Sequence, residues 1–120
     1  MALRGKLKGE IGVMRIEMNA WTKRKLNGYL NGAPGCFKLY YDTQDCGCNG
    51  VLTLQLLDQP LETDVKAEAD PFTFVVDRQQ LQQFDEVMRI EADASYPSFK
   101  VSSDASLYSS NVRIQDLRGR

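Results

Sequence analysis

Apolar and polar residues alternate over Met14-Arg15-Ile16-Glu17-Met18, a period of two that predicts a strand with one buried face. Asn19 follows and suits an N-cap, its side-chain oxygen accepting a free backbone N–H. Residues 20–30 then read as a helix, with Trp21, Leu26, Tyr29 and Leu30 as the buried stripe and Lys23 and Arg24 outside. Trp21 is expected to be a core anchor. Asn31-Gly32-Ala33-Pro34-Gly35 ends the helix, because glycine tolerates positive φ and proline cannot continue the hydrogen-bond ladder. The aromatic run Cys36-Phe37-Lys38-Leu39-Tyr40-Tyr41 predicts a strand. Residues 42–50 are polar, with Gly47 and Gly50, and predict a loop or hairpin turn. A further strand covers 51–57, with Leu52, Leu54 and Leu56 on one face.

Residues 58–70 carry five acidic side chains and one lysine, which predicts a solvated loop holding at most a short strand. Phe72-Thr73-Phe74-Val75-Val76-Asp77 is strongly strand-like, and Asp77 is expected to cap a short helix over 78–85 through Leu81 and Phe84. Alternation returns at 87–91, and short strands are predicted at 98–102, 106–108 and 112–114, with 117–120 fraying. The pattern is β-rich with one good helix and one short one, and it lacks a regular strand–helix–strand alternation. It predicts an α+β domain with largely antiparallel sheets.

The 120 residues make one domain, read as residues 14–120. Residues 1–13 read as an N-terminal extension: either they form a loose leader or the natural start is Met14. Arg4, Lys6 and Lys8 are not followed by an apolar stretch, so this segment does not resemble a secretory signal. Fifteen basic and sixteen acidic residues leave a net charge of −1, without the basic excess that phosphate contacts require, so nucleic acid is not an expected partner. No apolar run approaches a membrane span, and the expected location is the cytoplasm. The absence of histidine excludes Ser-His-Asp and Cys-His catalysis. Three cysteines are an odd count for a disulfide framework, and thiols in a reducing compartment more often serve metal or redox chemistry.

The chemistry concentrates in Asp45-Cys46-Gly47-Cys48-Asn49-Gly50. On an extended strand, residues two apart lie about 6.5 Å from each other. Two thiolates on one tetrahedral metal hold their sulfurs under roughly 4 Å apart, so the backbone must bend. Gly47 and Gly50 permit the bend. Backbone N–H groups in such a turn stabilise thiolate charge and lower the thiol pKa, which improves a ligand or nucleophile. Cys46 and Cys48 are therefore the candidate metal ligands. Two thiols do not complete four-coordination. The other donors would come from Cys36, from Asp42 or Asp45, from a second copy of the chain, or from a small thiol. Four bland readings stand beside this one. The pair could be idle packing residues; a disulfide could join Cys36 to one of the pair, a bridge within C-G-C itself being strained but reducible; Cys36 suits a buried apolar role; and Asp42 and Asp45 suit turn formation.

The run Phe37-Lys38-Leu39-Tyr40-Tyr41-Asp42, followed by Cys46-Gly47-Cys48-Asn49-Gly50, resembles the HesB-like or A-type iron–sulfur carrier domain. Cys48 matches the cysteine of that family's glycine-rich turn. Cys46 stands where glycine is usual, as in a branch that carries C-G-C there. Phe74-Val75-Val76-Asp77, Leu81, Phe84 and Ile90 resemble its strand, Asp and short-helix segment, and Ser98-Phe99-Lys100-Val101 its late strand. The resemblance implies a β-rich HesB-like sandwich and no enzymatic turnover. It also implies iron or an iron–sulfur cluster held by thiolates, with client apoproteins and the iron–sulfur assembly machinery as partners, often through a homodimer. Family members usually end in a second C-G-C, whereas residues 102–120 contain no cysteine, so the usual three-thiolate set does not carry over. Two rivals use the same residues: a thiol–disulfide oxidoreductase in which one of the pair attacks and the other resolves, and a metal-free interaction protein of the same fold.

Overall fold

The computed structural model describes residues 14–43 and 50–119. The predicted extension 1–13 lies outside the described residues. Strand β1 (Arg15–Met18) leads into helix α1 (Ala20–Leu30), which is followed by β2 (Cys36–Asp42), β3 (Val51–Leu57), β4 (Asp64–Ala67) and β5 (Phe74–Asp77). A single 3-10 turn at Leu81–Gln83 precedes β6 (Val87–Ala92), β7 (Phe99–Ser102), β8 (Leu107–Val112) and β9 (Ile114–Asp116). The architecture is α+β and β-rich.

The strands form two mixed sheets, in the orders β1-β6-β7-β8 and β4-β5-β2-β3-β9. Four pairings are antiparallel and three, β1–β6, β2–β5 and β3–β9, are parallel. The parallel pairs join segments far apart in sequence, such as Arg15 with Val87. Two seams tie the sheets together. At one, the Ile16 N–H donates to Glu68 O at 2.7 Å and the Glu68 N–H donates to Met14 O at 2.8 Å, linking β1 to the end of β4. At the other, the chain leaves β8, turns at Arg113, whose carbonyl accepts from Leu54 N–H at 3.1 Å, and enters the second sheet as β9.

The core fills the space between the sheets. Met88, Ile90, Phe99 and Val101 face Phe37, Leu39, Leu54, Leu56 and Phe74, all with at most 1% exposure. Each such side chain contributes about 1.5–3 kcal/mol on burial, against about 0–1 kcal/mol for a surface ion pair, so apolar contact and not charge holds the layers together.

Helix α1 begins as its sequence requires. Asn19 Oδ1 accepts the Thr22 N–H at 2.8 Å and the Thr22 hydroxyl at 2.7 Å. The Thr22 hydroxyl oxygen also accepts the Ala92 N–H at 2.9 Å, which docks the helix on β6. The buried face differs from the predicted stripe. Leu26 and Thr22 are buried and Tyr29 and Leu30 half-buried, but Trp21 is 39% exposed and is not a core anchor. Its indole lies against the rim of the protein, under the cations of Arg24 and Lys25.

Three other expectations are revised. The helix predicted over 78–85 is one 3-10 turn, and Asp77 does not cap it. Its carboxylate instead accepts the Gln79 N–H at 2.8 Å in a local turn. The strands predicted at 106–108 and 112–114 are one strand, β8, that bends into β9. Residues 117–119 do not fray. Leu117 N–H donates to Leu56 O at 2.8 Å, and the Arg118 guanidinium donates to Leu30 O and Tyr29 O, each at 2.9 Å, covering the last carbonyls of α1.

Candidate functional site

The hairpin of β2 and β3 is central to the five-stranded sheet and pairs over seven residues, from Cys36 with Leu57 at one end to Asp42 with Val51 at the other. The connection leaving the Asp42–Val51 end carries the candidate ligands. Cys46 and Cys48, with Asp45, fall within 44–49 and lie outside the described residues. The structure does define the two roots from which that connection springs.

On the β2 side, Tyr41 projects beyond the last pairing of β2 with β5 at Leu39–Val76. The side-chain amide of Gln80 takes the place of a strand there. Its oxygen accepts the Tyr41 N–H at 2.8 Å and its nitrogen donates to Tyr41 O at 3.0 Å. This two-point amide contact fixes the strand just before the loop. The Tyr41 ring stacks on Phe84 at 5.5 Å, and Phe84 meets Tyr108 at 5.8 Å, so the root is tied across the core to β8 of the other sheet. Burial pushes the phenols of Tyr41 and Tyr108 up, with the hydrogen bond to Asp85 adding to the shift at Tyr108.

On the β3 side the chain re-enters through Gly50 at φ 110°. A Cβ there would sit 3.0 Å from Thr43 Cγ2 and 3.3 Å from Tyr41 Cβ. Both the conformation and the close approach of the two roots therefore require glycine. Two pairs further along the hairpin, the Thr53 hydroxyl donates to Tyr40 O at 2.9 Å and stiffens the same end.

Cys36 lies at the opposite end of β2, six strand positions or about 20 Å from Asp42. It is 2% exposed, and its thiol donates weakly to Phe37 O at 3.6 Å. Desolvation first, and the nearby Asp64 carboxylate second, raise its pKa to about 11, against the lowering effect of Lys38 and Lys66. It is a neutral, packed thiol at physiological pH, which answers the question of its role in favour of packing. Asp42 closes the hairpin and lines a polar groove with Lys38, Tyr40, Gln55, Leu61 and Asp77 on the outer face of the sheet. Among the described residues, no group of three or more Cys, Asp or Glu side chains is arranged to hold a metal.

That outer face also contains a charge pair that sequence reasoning missed. Lys38 Nζ lies 2.8 Å from Asp64 Oδ1, with the lysine side chain 3% and the aspartate side chain 0% exposed. Asp64 Oδ2 accepts the Leu61 N–H at 2.8 Å, and the ammonium lies 5.1 Å from the Tyr40 ring centroid. The segment 58–70 is thus not wholly solvated, since it supplies the edge strand β4, from whose first residue the Asp64 carboxylate reaches Lys38 on the outer face of the sheet. A lysine inside an aromatic strand was the one available signal. Gln80 was also missed, because nothing in a Gln-Gln pair marks one side chain as a strand substitute.

No helix among the described residues is long and apolar enough to cross a membrane. A search of curated proteins finds no match to the sequence. In structure, the chain is similar to a protein from Lactobacillus salivarius assigned to Fe–S biosynthesis, with a TM-score of 0.74 and 17% identity, covering 88% of this chain and 99% of that one. It is similar to a second such protein from Lactobacillus acidophilus, with a TM-score of 0.63 and 18% identity over 86% and 90% of the two chains. It is also similar to Escherichia coli SufA, involved in biosynthesis of iron–sulfur clusters, with a TM-score of 0.52 and 16% identity over 79% and 93%. At these identities the likeness is one of fold. The sequence itself matches the family model for iron–sulphur cluster biosynthesis over residues 14–116, from β1 through the cysteine hairpin to the end of β9. The chain belongs to the HesB-like family of iron–sulfur cluster biosynthesis proteins.

Proposed function

We propose that this protein is an iron–sulfur assembly accessory or carrier that holds iron or a cluster as cargo on the thiolates of Cys46 and Cys48 and releases it to client apoproteins. In this reading it is a carrier in the cytoplasm and not an enzyme. The observation that supports it most is the rooted hairpin. The Tyr41–Gln80 amide contact, the Asp42–Val51 pair and Gly50 hold the two ends of the C-G-C segment together, and the aromatic stack ties them to the second sheet. A short segment rooted this way keeps both thiols local to one end of the molecule. A Gly-rich backbone supplies N–H groups that favour the thiolate form.

Cys36 does not suit a third ligand, since it is buried, protonated to about pH 11 and rooted at the far end of the strand. The remaining donors then come from outside the hairpin: a second copy of the chain contributing its own pair, or a small thiol. Two chains give four thiolates, a set sufficient for a cluster. Incomplete coordination within one chain suits cargo that must leave, because closed four-ligand sites retain their metal.

Anaerobic reconstitution with ferrous iron and sulfide tests the reading. The wild-type protein and Cys36→Ala are expected to develop visible charge-transfer absorption, and the Cys46→Ser, Cys48→Ser double variant is expected to lose it. An unchanged spectrum in the double variant sinks the ligand assignment. Mass in solution before and after reconstitution reports whether the second pair of donors comes from a homodimer.

A further inference from the structure

The outward side of α1 is built unlike the rest of the surface. From residue 19 to residue 41 the chain contains no acidic residue and four basic ones, in a protein whose net charge is −1. Lys23, Arg24 and Lys25 occupy consecutive positions on the helix, and none of them forms an ion pair among the described residues. Trp21 stands beside them at 39% exposure, with Arg24 Cζ 5.7 Å and Lys25 Nζ 5.5 Å from its ring centroid. The indole N–H is turned back toward Asp93 O at 3.4 Å, which leaves the ring as a wall at the edge of the helix. Tyr96, 68% exposed, rises from the turn that the Asp93 carboxylate closes on the N–H groups of Ser95 and Tyr96.

Gly28 completes the surface. It lies seven residues after Trp21, two helical turns along, and so shares its face. A Cβ at Gly28 would meet nothing within 4 Å, and its φ is not positive. Neither packing nor backbone conformation of the isolated protein therefore calls for glycine. A glycine inside a helix nevertheless costs about 1 kcal/mol relative to alanine. The result is a shelf: bare helix backbone at one end, an aromatic wall at the other, and between them Arg24 and Lys25, which form no ion pair among the described residues, whereas Lys23, two positions on from Trp21, projects from the other flank of the helix.

We infer that this shelf docks a short acidic segment of a partner protein, with carboxylates on Arg24 and Lys25, an apolar side chain against Trp21 and backbone close to Gly28. Charge complementarity selects this occupant. The two cations are adjacent within one helical turn, which matches one or two carboxylates. A duplex or a bilayer covers far more surface and would also meet Glu91 and Asp93, which line the groove next to Asn19. The inference goes beyond the thiol reading and does not depend on any cargo.

Trp21 is the only tryptophan in the chain, so its emission reports occupancy of the shelf directly. The full-length protein is titrated at low salt with a short tryptophan-free peptide rich in Asp and Glu and containing one Leu. A Lys-rich peptide, duplex DNA and anionic phosphatidylserine vesicles are titrated in parallel. A saturable shift with the acidic peptide, weakened by salt, is expected. Arg24→Glu and Lys25→Glu together should weaken it about tenfold or more, a loss of about 1.4 kcal/mol or greater. Gly28→Gln separates docking from folding: it removes a helix glycine, so thermal stability should hold or rise, while the filled shelf binds the peptide several-fold more weakly. No response to the acidic peptide, an equal response to the Lys-rich one, tighter binding to DNA or vesicles, or a Gly28→Gln variant that binds like wild type would each overturn the inference.

Discussion

Removing one member of the Lys38–Asp64 pair is expected to destabilise the protein far more than removing both. Lys38→Met keeps most of the side-chain stem and deletes the ammonium. Asp64, 0% exposed, is then left with a single N–H from Leu61 at 2.8 Å. An unpartnered buried charge of this kind costs about 3–5 kcal/mol. For a domain near this size, a kilocalorie moves the midpoint by roughly 4 °C, so the variant should melt about 12–20 °C lower. Asp64→Leu leaves the ammonium without its ion-pair partner, beside the Tyr40 ring, and should also destabilise, by less if Asp42 or Asp77 of the same groove takes over. The double variant Lys38→Met, Asp64→Leu removes both charges together and should stay within about 1 kcal/mol of wild type, because an apolar pair replaces a desolvated ionic one. Urea and thermal denaturation of the four proteins at neutral pH give the coupling energy directly. The neighbouring thiol offers a second readout: with Lys38 gone, the attraction that lowers the Cys36 pKa is lost and its alkylation midpoint should move to higher pH. Single variants that each cost under about 1 kcal/mol, as exposed pairs do, would refute the claim that this pair is buried.

Gly50→Ala should cost about 1–3 kcal/mol, since φ 110° is strained for any L side chain and the new Cβ would press on Thr43; a melting temperature equal to wild type would count against the described root. Arg118→Met removes two donors from the Leu30 and Tyr29 carbonyls and should cost about 1–2 kcal/mol in urea unfolding, with a loss of helical ellipticity that Arg118→Lys only partly restores. The Cys36 thiol, raised from 9.0 to about 11, is held neutral by the fold, so its contribution is complete below pH 9 and is lost as pH rises from 9 through 11. Two pH units correspond to roughly 3 kcal/mol. The decline in urea midpoint between pH 8 and pH 11 should be shallower by about that amount in Cys36→Ala, and parallel curves would show the thiol is not desolvated.

What the sequence disclosed follows from the range of each interaction. Period-two runs marked β1, β3 and β6, and Asn19 marked the start of α1, because these signals act within a few residues. The hairpin around the candidate thiols was legible for the same reason. Trp21 was misjudged because its hydrophobicity does not reveal that two cations three and four residues on would hold it at the surface. Asp64 was read as solvated because its partner lies 26 positions earlier, in β2, and local acidity points the other way. The parallel pairings and the Gln80 amide contact were hidden by separation too: Gln80 reaches Tyr41 across 39 positions. For the candidate site, this means that the sequence nominated the thiols, and only the coordinates showed the roots of the segment that carries them.

The Arg118 clamp reaches back 88 and 89 positions to the first helix. A nascent chain can build α1 early, yet the end of that helix stays uncovered until nearly all of the described residues have left the ribosome. The same delay holds for β9, which completes an edge of the larger sheet only after its partner β3 has waited some sixty residues of synthesis. Strands β2 and β3 thus emerge well before β9 and the Arg118 clamp, and pairings so far apart in sequence slow folding because the intervening chain must close before they form.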